Sequence, residues 1–329
     1  MMKKATVKSH SNIALVKYWG KRNEKLNLPA VGSISITLKE IFTLTSVEFK
    51  KELKEDILIL NNSEAPENQR KRVSRFLDLI RKEVGFDLSA RIDSKNNFPT
   101  GAGLASSASA FASLALAGTV AAGIEKNETQ LSQLARLGSG SAARSIFGGF
   151  VEMNKGNRAD GSDSVAHQIA PEDYWDIRVL IAITSTEAKK TGSTEGMQHS
   201  AETSPYNSQW IKESVKDLTE MRQVIKSRDF KALGEISEYS CLKMHALAMS
   251  SRPALIYWNS TTMECIRLVY DLRKSGIPAY FTIDAGPQVK IICLPDYLNQ
   301  IKKTLSKIGG VKKIISTSLG PGTALVGEM

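Results

Sequence analysis

Apolar residues along this chain switch between strand-type runs and helical spacing, and the switches lay out its elements in order. Ala5-Thr6-Val7, Ile34 to Leu38, Phe42 to Phe49, Ile57 to Leu60 and Leu88 to Ile92 are β-type runs. Between Pro66 and Val84 the residues Val73, Phe76, Leu77 and Ile80 recur at helical spacing. An Ala-rich helix over Ala110 to Ala117 follows, then a second over Glu128 to Leu137 that stops before Gly138. Strands at Gly149 to Asn154 and Arg178 to Thr184 precede a helix-rich portion at 208–228, 230–249 and 259–274. Ala279 to Ile283 and Val289 to Cys293 are two further β runs, joined by Asp284-Ala285-Gly286-Pro287. A helix at Tyr297 to Lys307 and a strand at Lys313 to Thr317 complete the pattern. It predicts two α+β halves, 1–180 and 181–329, with their cleft as the natural site.

The most informative stretch is Pro99 to Ser109, Pro-Thr-Gly-Ala-Gly-Leu-Ala-Ser-Ser-Ala-Ser, which runs straight into the Ala-rich helix. Helix N-termini present unpaired N–H groups and partial positive charge, and the glycines allow close backbone approach. Ser106, Ser107 and Ser109 add hydroxyl donors, so the segment reads as a phosphate cradle. A Gly-rich turn with a serine cap is the plainer alternative. The segment lacks the Gly-Lys-Ser/Thr ending of the common P-loop.

Gly138-Ser139-Gly140-Ser141-Ala142-Ala143-Arg144-Ser145 is of the same kind, with a guanidinium one turn into the next element. Arginine forks onto a carboxylate or phosphate in a way lysine cannot. The plainer alternative is a flexible helix connection with an exposed arginine. Asn12 to Lys21 places Lys17, Tyr18, Trp19 and Lys21 together. In an alternating strand Lys17, Trp19 and Lys21 would share one face, opposite Tyr18. Lysines in such a segment either meet an anion or line a solvated edge. Asp284, taken alone, reads as a turn residue; the Gly-Pro after it would hold the carboxylate rigidly. Lys189 to Met197 reads as a small basic loop.

Composition narrows the field. With 329 residues, 42% of them hydrophobic, the chain can bury one large or two medium cores. No stretch approaches the ~20 apolar residues of a membrane span, and no signal-type apolar region follows Lys3-Lys4. The three cysteines lie far apart, as buried thiols of a reducing cytoplasm do, and the four histidines lack zinc-site spacing. A net charge of +10 admits nucleic acid or small anions as partners. The basic runs mix with acidic residues and lack interleaved aromatics, which favours polyphosphates drawn into a cleft.

Taken together, Lys-Tyr-Trp-Gly-Lys at 17–21, the Gly-Leu-Ala-Ser-Ser-Ala loop, Gly-Ser-Gly-Ser-Ala-Ala-Arg-Ser and Asp-Ala-Gly-Pro resemble the mevalonate diphosphate decarboxylases. These are a branch of the GHMP kinase superfamily, and the resemblance spans nearly the whole chain. It implies an α+β fold whose first half is like domain 2 of ribosomal protein S5 and whose second is ferredoxin-like and helix-rich. It implies ATP-dependent decarboxylation of mevalonate 5-diphosphate, with Mg²⁺, in a cytoplasmic homodimer. The catalytic residues would be Asp284, Arg144 and Lys17. Tyr18, Trp19, Gly20, Lys21, Arg70, Ser139, Gly140, Ser141, Ala142, Ala143, Arg144, Ser193 and Thr194 would bind the substrate. Ser94, Asn97, Gly103, Leu104, Ala105, Ser106 and Ser107 would bind ATP, with Ser106 and Ser107 near the metal. Gln288 stands where asparagine usually follows Asp-Ala-Gly-Pro, and Thr194 where some bacterial members carry arginine. A kinase relative, a relative acting on mevalonate or its monophosphate, and a non-enzymatic anion-binding protein are the alternatives.

Overall fold

The computed structural model describes residues 4–98, 106–187 and 190–328. Two long antiparallel strands, β1 (Ala5–Val16) and β4 (Ser33–Lys50), form its spine. Most of their apolar positions, among them Val7, Ile13, Leu15, Ile34, Ile36 and Val47, are fully buried. A separate hairpin, β2 (Lys21–Asn23) with β3 (Leu28–Pro29), lies between them in sequence. One end of β4 pairs with β7 (Ser89–Asn96), which runs parallel to β5 (Ile57–Leu60), itself extended by β6 (Ser63–Glu64). The other end pairs with β8 (Phe150–Met153) and, through it, β9 (Ala166–Ala170). The last strand, β14 (Ala324–Glu328), returns to pair with β1.

Helices α1 (Glu67–Val84), α2 (Ser106–Ala121) and α3 (Glu128–Gly138) share a core with this sheet through Phe76, Ile80, Phe111, Leu114, Leu131 and Ile92. Local chemistry marks their ends. Gly85 terminates α1 in the left-handed region, and Asn127 with Gln130 forms a capping box on α3. A second, antiparallel sheet has the order β11 (Ala279–Thr282), β12 (Val289–Cys293), β10 (Arg178–Ile183), β13 (Lys313–Ser318). Apolar residues of α8 (Ser260–Lys274) and α9 (Leu298–Leu305) form one core with it. Those of α6 (Asn207–Ser227) and α7 (Phe230–Met249) form another that joins β1 and β4 to β10. Short helices α4 (Ala142–Ser145) and α5 (Ser193–Thr203) complete the chain.

The mixed α+β class and most elements match the sequence pattern, with instructive differences. The two β runs at 34–38 and 42–49 are one strand, β4, whose only exposed positions are Lys39 and Glu40. Residues 193–197, expected in a loop, open helix α5. β9 and β14 carry no alternating apolar pattern, because each is held chiefly by backbone pairing to a buried neighbour. The division expected at 180 falls inside β10, and β14 crosses back to the first sheet.

Ser109 corrects the first reading of the loop: its hydroxyl is fully buried and bonds Thr43 Oγ1 at 2.7 Å and Ser11 Oγ at 3.1 Å. Thr45 similarly bonds Ser113 and Ser94, so hydroxyl pairs tie α2 to the sheet. Elsewhere in this half, Asp56 is buried against Arg81, and its Oδ1 also accepts from Ala90 N at 2.7 Å. Removing Asp56 leaves the buried Arg81 with only Asp78, a mostly exposed carboxylate, as its ion-pair partner among the described residues. Asp56→Ala is therefore expected to destabilise the fold by about 3 kcal/mol, read from the urea midpoint.

Candidate active site

Strand β1 ends at Val16, after two register irregularities against β4 that re-aim the chain. Lys17 follows, almost fully buried, with its backbone N–H held by Ser240 Oγ at 3.0 Å. Its Nζ donates to Asp284 Oδ1 at 2.6 Å. A second buried lysine, Lys290 on β12, reaches Asp284 Oδ2 at 3.2 Å. Burial alone would push the Asp284 carboxyl up, but the two ammoniums together hold it well below the usual carboxylate range. The turn behind it is tight, with Gly286 N–H donating to Asp284 O at 2.7 Å. Ile283, one residue earlier, is pinned by Cys241 Sγ and by His245 Nε2, at 3.2 Å each.

Arg144 lies on α4, buried, and its guanidinium donates to Ser35 Oγ at 3.0 Å, Ser33 Oγ at 2.5 Å and Asn12 Oδ1 at 3.1 Å. Asn12 is fixed in turn by Ser141 O and Ser145 Oγ. Among the described residues no carboxylate pairs with Arg144, and burial lowers its pKa to about 10. A cation held by neutral hydroxyls and an amide keeps its charge for a ligand. Tyr18 faces the same region; its buried Oη has no partner among the described residues, and burial pushes its pKa up to about 12. A side chain at Gly140 would sit 2.3 Å from that Oη, so this position excludes one.

Asp284, Lys17, Tyr18 and Arg144 share one cleft of about 1000 Å³. Ser106 and Ser107, the first residues of α2, line it together with Ser139, Gly140, Ser141, Ser193 and Thr194. Ser107 Oγ lies 3.2 Å from Ser139 Oγ, which joins the start of α2 to the loop before α4. Trp19 forms an apolar wall with Met197, Met244 and Ala285, and its Nε1 donates to Ser200 Oγ at 2.7 Å. Cations outnumber carboxylates in the lining by six (Lys17, Lys21, Lys25, Arg72, Arg75, Arg144) to two (Glu24, Asp284). The volume and the charge suit two phosphorylated ligands side by side.

Comparison with known proteins follows the same lines. The diphosphomevalonate decarboxylase-like N-terminal domain matches residues 9–166, and the mevalonate 5-diphosphate decarboxylase C-terminal domain matches residues 179–325. The chain belongs to the diphosphomevalonate decarboxylase family. The human diphosphomevalonate decarboxylase is 39% identical over 87% of this chain and 75% of its own length. The mevalonate diphosphate decarboxylase of Staphylococcus aureus is 37% identical, with a TM-score of 0.94 over 99% of both chains. A structure described as MDDEF in complex with MVAPP, AMPPCP and magnesium is 40% identical, with a TM-score of 0.93 over 99% of both chains. The fold is thus the two-domain fold of this GHMP-kinase-like family.

Against this family site, several sequence expectations need correction. Lys17, Trp19 and Lys21 do not share a strand face: the strand has ended, Gly20 turns the chain at φ +94°, and Tyr18 lines the cleft beside them. Arg70 is absent from the lining and pairs with Glu55 on the outer side of α1. The basic α1 residues that face the cleft are Arg72 and Arg75, beside Asn68, Phe76 and Leu79, and Arg72 donates to Gly138 O at 2.8 Å. A helix turns about 100° per residue, so an offset of two moves a side chain to the far face. Ala142 and Ala143 are buried behind the lining. The Ser94 hydroxyl is spent on Thr45, and the Asn97 side chain on Phe42 N and Glu40 O. Gly103, Leu104 and Ala105 lie outside the described residues, as does Gly101. Lys21 is drawn to Thr194 Oγ1 at 3.4 Å. Gln288 is fully buried and accepts from Thr184 N–H at 2.6 Å, so the departure from asparagine serves the turn after Asp284. Lys290 was missed because a lysine in an apolar strand carries no motif.

His245 gives this site a pH signature. Its burial on α7 lowers its pKa to about 3 from 6.5, so the unfolded chain takes up the proton first. Its contribution to stability is complete above 6.5 and is lost as the pH falls toward 3. The slope is at most about 1.4 kcal/mol per pH unit. His245→Gln, which keeps a donor toward Ile283 O, is expected to flatten the fall in urea midpoint between about pH 6.5 and pH 5.

Proposed function

We propose that this chain catalyses ATP-dependent decarboxylation of mevalonate 5-diphosphate to isopentenyl diphosphate, releasing ADP, phosphate and CO2. The observation that carries this reading is the presence, in one cleft, of a lysine-clamped carboxylate and a buried arginine without a carboxylate partner. Phosphoryl transfer alone requires positioning and charge stabilisation. Loss of CO2 also requires a fixed cation to orient the departing carboxylate, and Arg144 is that cation.

Asp284, kept ionised by its lysines, is a weak base but a strong hydrogen-bond acceptor. It orients the tertiary 3-hydroxyl, whose oxygen attacks the γ-phosphorus as the bond to the ADP oxygen breaks and whose proton passes to an oxygen of the transferred phosphoryl group. The 3-phosphate then leaves with its bonding electrons, and Asp284 faces the positive charge growing at C3. The bond to the carboxylate breaks, its electron pair forms the new double bond, and CO2 departs from Arg144.

Tyr18, Lys21, Arg72, Ser139, Ser141, Ser193 and Thr194 surround the diphosphate and carboxylate ends, with Trp19 as the apolar wall. The nucleotide phosphates meet the start of α2. No group of three or more His, Cys, Asp or Glu among the described residues could hold a metal alone. Hydroxyls such as Ser106 and Ser107 suit Mg²⁺, which keeps waters and phosphate oxygens as most of its ligands. Magnesium neutralises charge on the phosphates when bound. Convergence of the basic side chains on the cleft supports small anionic partners over nucleic acid. Three buried free cysteines are consistent with a cytoplasmic setting, and the family resemblance supports a homodimer.

With ATP and Mg²⁺, mevalonate 5-diphosphate is expected to yield ADP, phosphate and CO2 in equal amounts. ADP with a stable 3-phosphorylated product and no CO2 would make the protein a kinase, and preference for the monophosphate in a parallel assay would reassign the substrate. Asp284→Asn is expected to lower turnover by about 10²- to 10⁴-fold while nucleotide affinity, measured by calorimetry, stays nearly intact.

A further inference from the structure

β12 is an apolar strand in the middle of the second core, with one exception. Val289, Ile291, Ile292 and Cys293 are fully buried, and Lys290 among them is only 2% exposed. It stands opposite Ile181 on β10 and Thr282 on β11. An ammonium placed there gives up its hydration, which is costly unless a buried anion answers it. Its ion pair is with Asp284 Oδ2, the oxygen that Lys17 leaves open.

We propose that Lys290 is a positioning residue for the reaction, acting through Asp284 rather than on the substrate. The inference rests on Asp284 facing the reacting hydroxyl, as argued above. A carboxylate bound through one oxygen can still swing about its last torsion, which has a broad, two-fold profile. Lys17 comes from the end of β1 in the first sheet, and Lys290 from β12 in the second. With one ammonium on each oxygen, the carboxylate plane is fixed relative to both sheets. Lys290 is not among the cleft-lining residues, whereas Lys17 and Asp284 are. It therefore sets orientation and charge without touching ligand. The groups that share this field are Lys17, Arg144 on α4, and Cys241 and His245 on α7. Cys241 is pushed up to about 11 and His245 down to about 3, so neither carries charge near neutral pH. Removing Lys290 consequently leaves Lys17 as the one ammonium bonded to Asp284 among the described residues.

Lys290→Met keeps the unbranched apolar stem of the side chain, one atom shorter, and removes its charge. Turnover is expected to fall by about 10- to 100-fold with little change in KM for mevalonate 5-diphosphate. The acidic limb of the kcat profile is expected to move to higher pH, because Asp284 loses one of its two cations. In protein carrying ¹³C-carboxyl aspartate, assigned with Asp284→Asn, the Asp284 titration is expected to move the same way. That measurement needs no turnover, so it tests the clamp even if the proposed reaction fails. Lys290→Ala, given ethylammonium as a replacement cation, is expected to regain part of the lost turnover. Unchanged kcat with an unmoved Asp284 titration in a folded Lys290→Met protein would overturn the proposal. So would a turnover loss that tracks only a lowered melting temperature and does not respond to ethylammonium.

Discussion

The Lys17–Asp284–Lys290 arrangement is the constraint on which the rest of this molecule depends. Two buried ammoniums and one carboxylate, 2.6 and 3.2 Å apart, sit where the two sheets meet. Isolated, any of the three would be driven toward its neutral form by burial. Together, the two lysines hold the carboxylate ionised, and the contact fixes the end of β1 against the β11–β12 turn. The core that joins Ile13, Leu15, Ile34 and Ile36 to Val179, Ile181 and Ile292 packs the two sheets together behind this contact.

Around that centre the site is assembled from residues that give up side-chain volume or lend hydroxyls. Gly140 makes room for the Tyr18 ring, and Ser33, Ser35 and Asn12 solvate the Arg144 guanidinium without cancelling it. The result is asymmetric: at Asp284 the carboxylate is held rigidly between two cations, whereas at Arg144 the cation is left for a ligand. A phosphoryl transfer followed by loss of CO2 uses both conditions, the first to aim a hydroxyl and the second to hold a carboxylate.

Much of the site was legible because its signals are short and local. A glycine-serine run before a helix announces exposed N–H groups, and an Asp-Ala-Gly-Pro turn announces a held carboxylate. Legibility failed where a side chain's direction depends on distant packing. Ser109 and Ser94 read as ligand hydroxyls but bond Thr43 and Thr45 in the sheet. Arg70 and Arg72 are equivalent in composition, and only the docking of α1 on the sheet decides which one faces the cleft.

The sequence by itself determined most of the elements and the α+β class, which follow from periodicity. It singled out Asp284, Arg144 and Lys17 together only through the resemblance of their motifs to one family, since Asp284 alone reads as a turn residue. The tertiary structure alone decided which charges meet. Lys17 and Asp284 are 267 positions apart, and Lys290 lies within a strand that gives no warning of its partner. Long-range pairing of this kind is set by how two sheets pack, a property of the whole chain that no window of sequence contains.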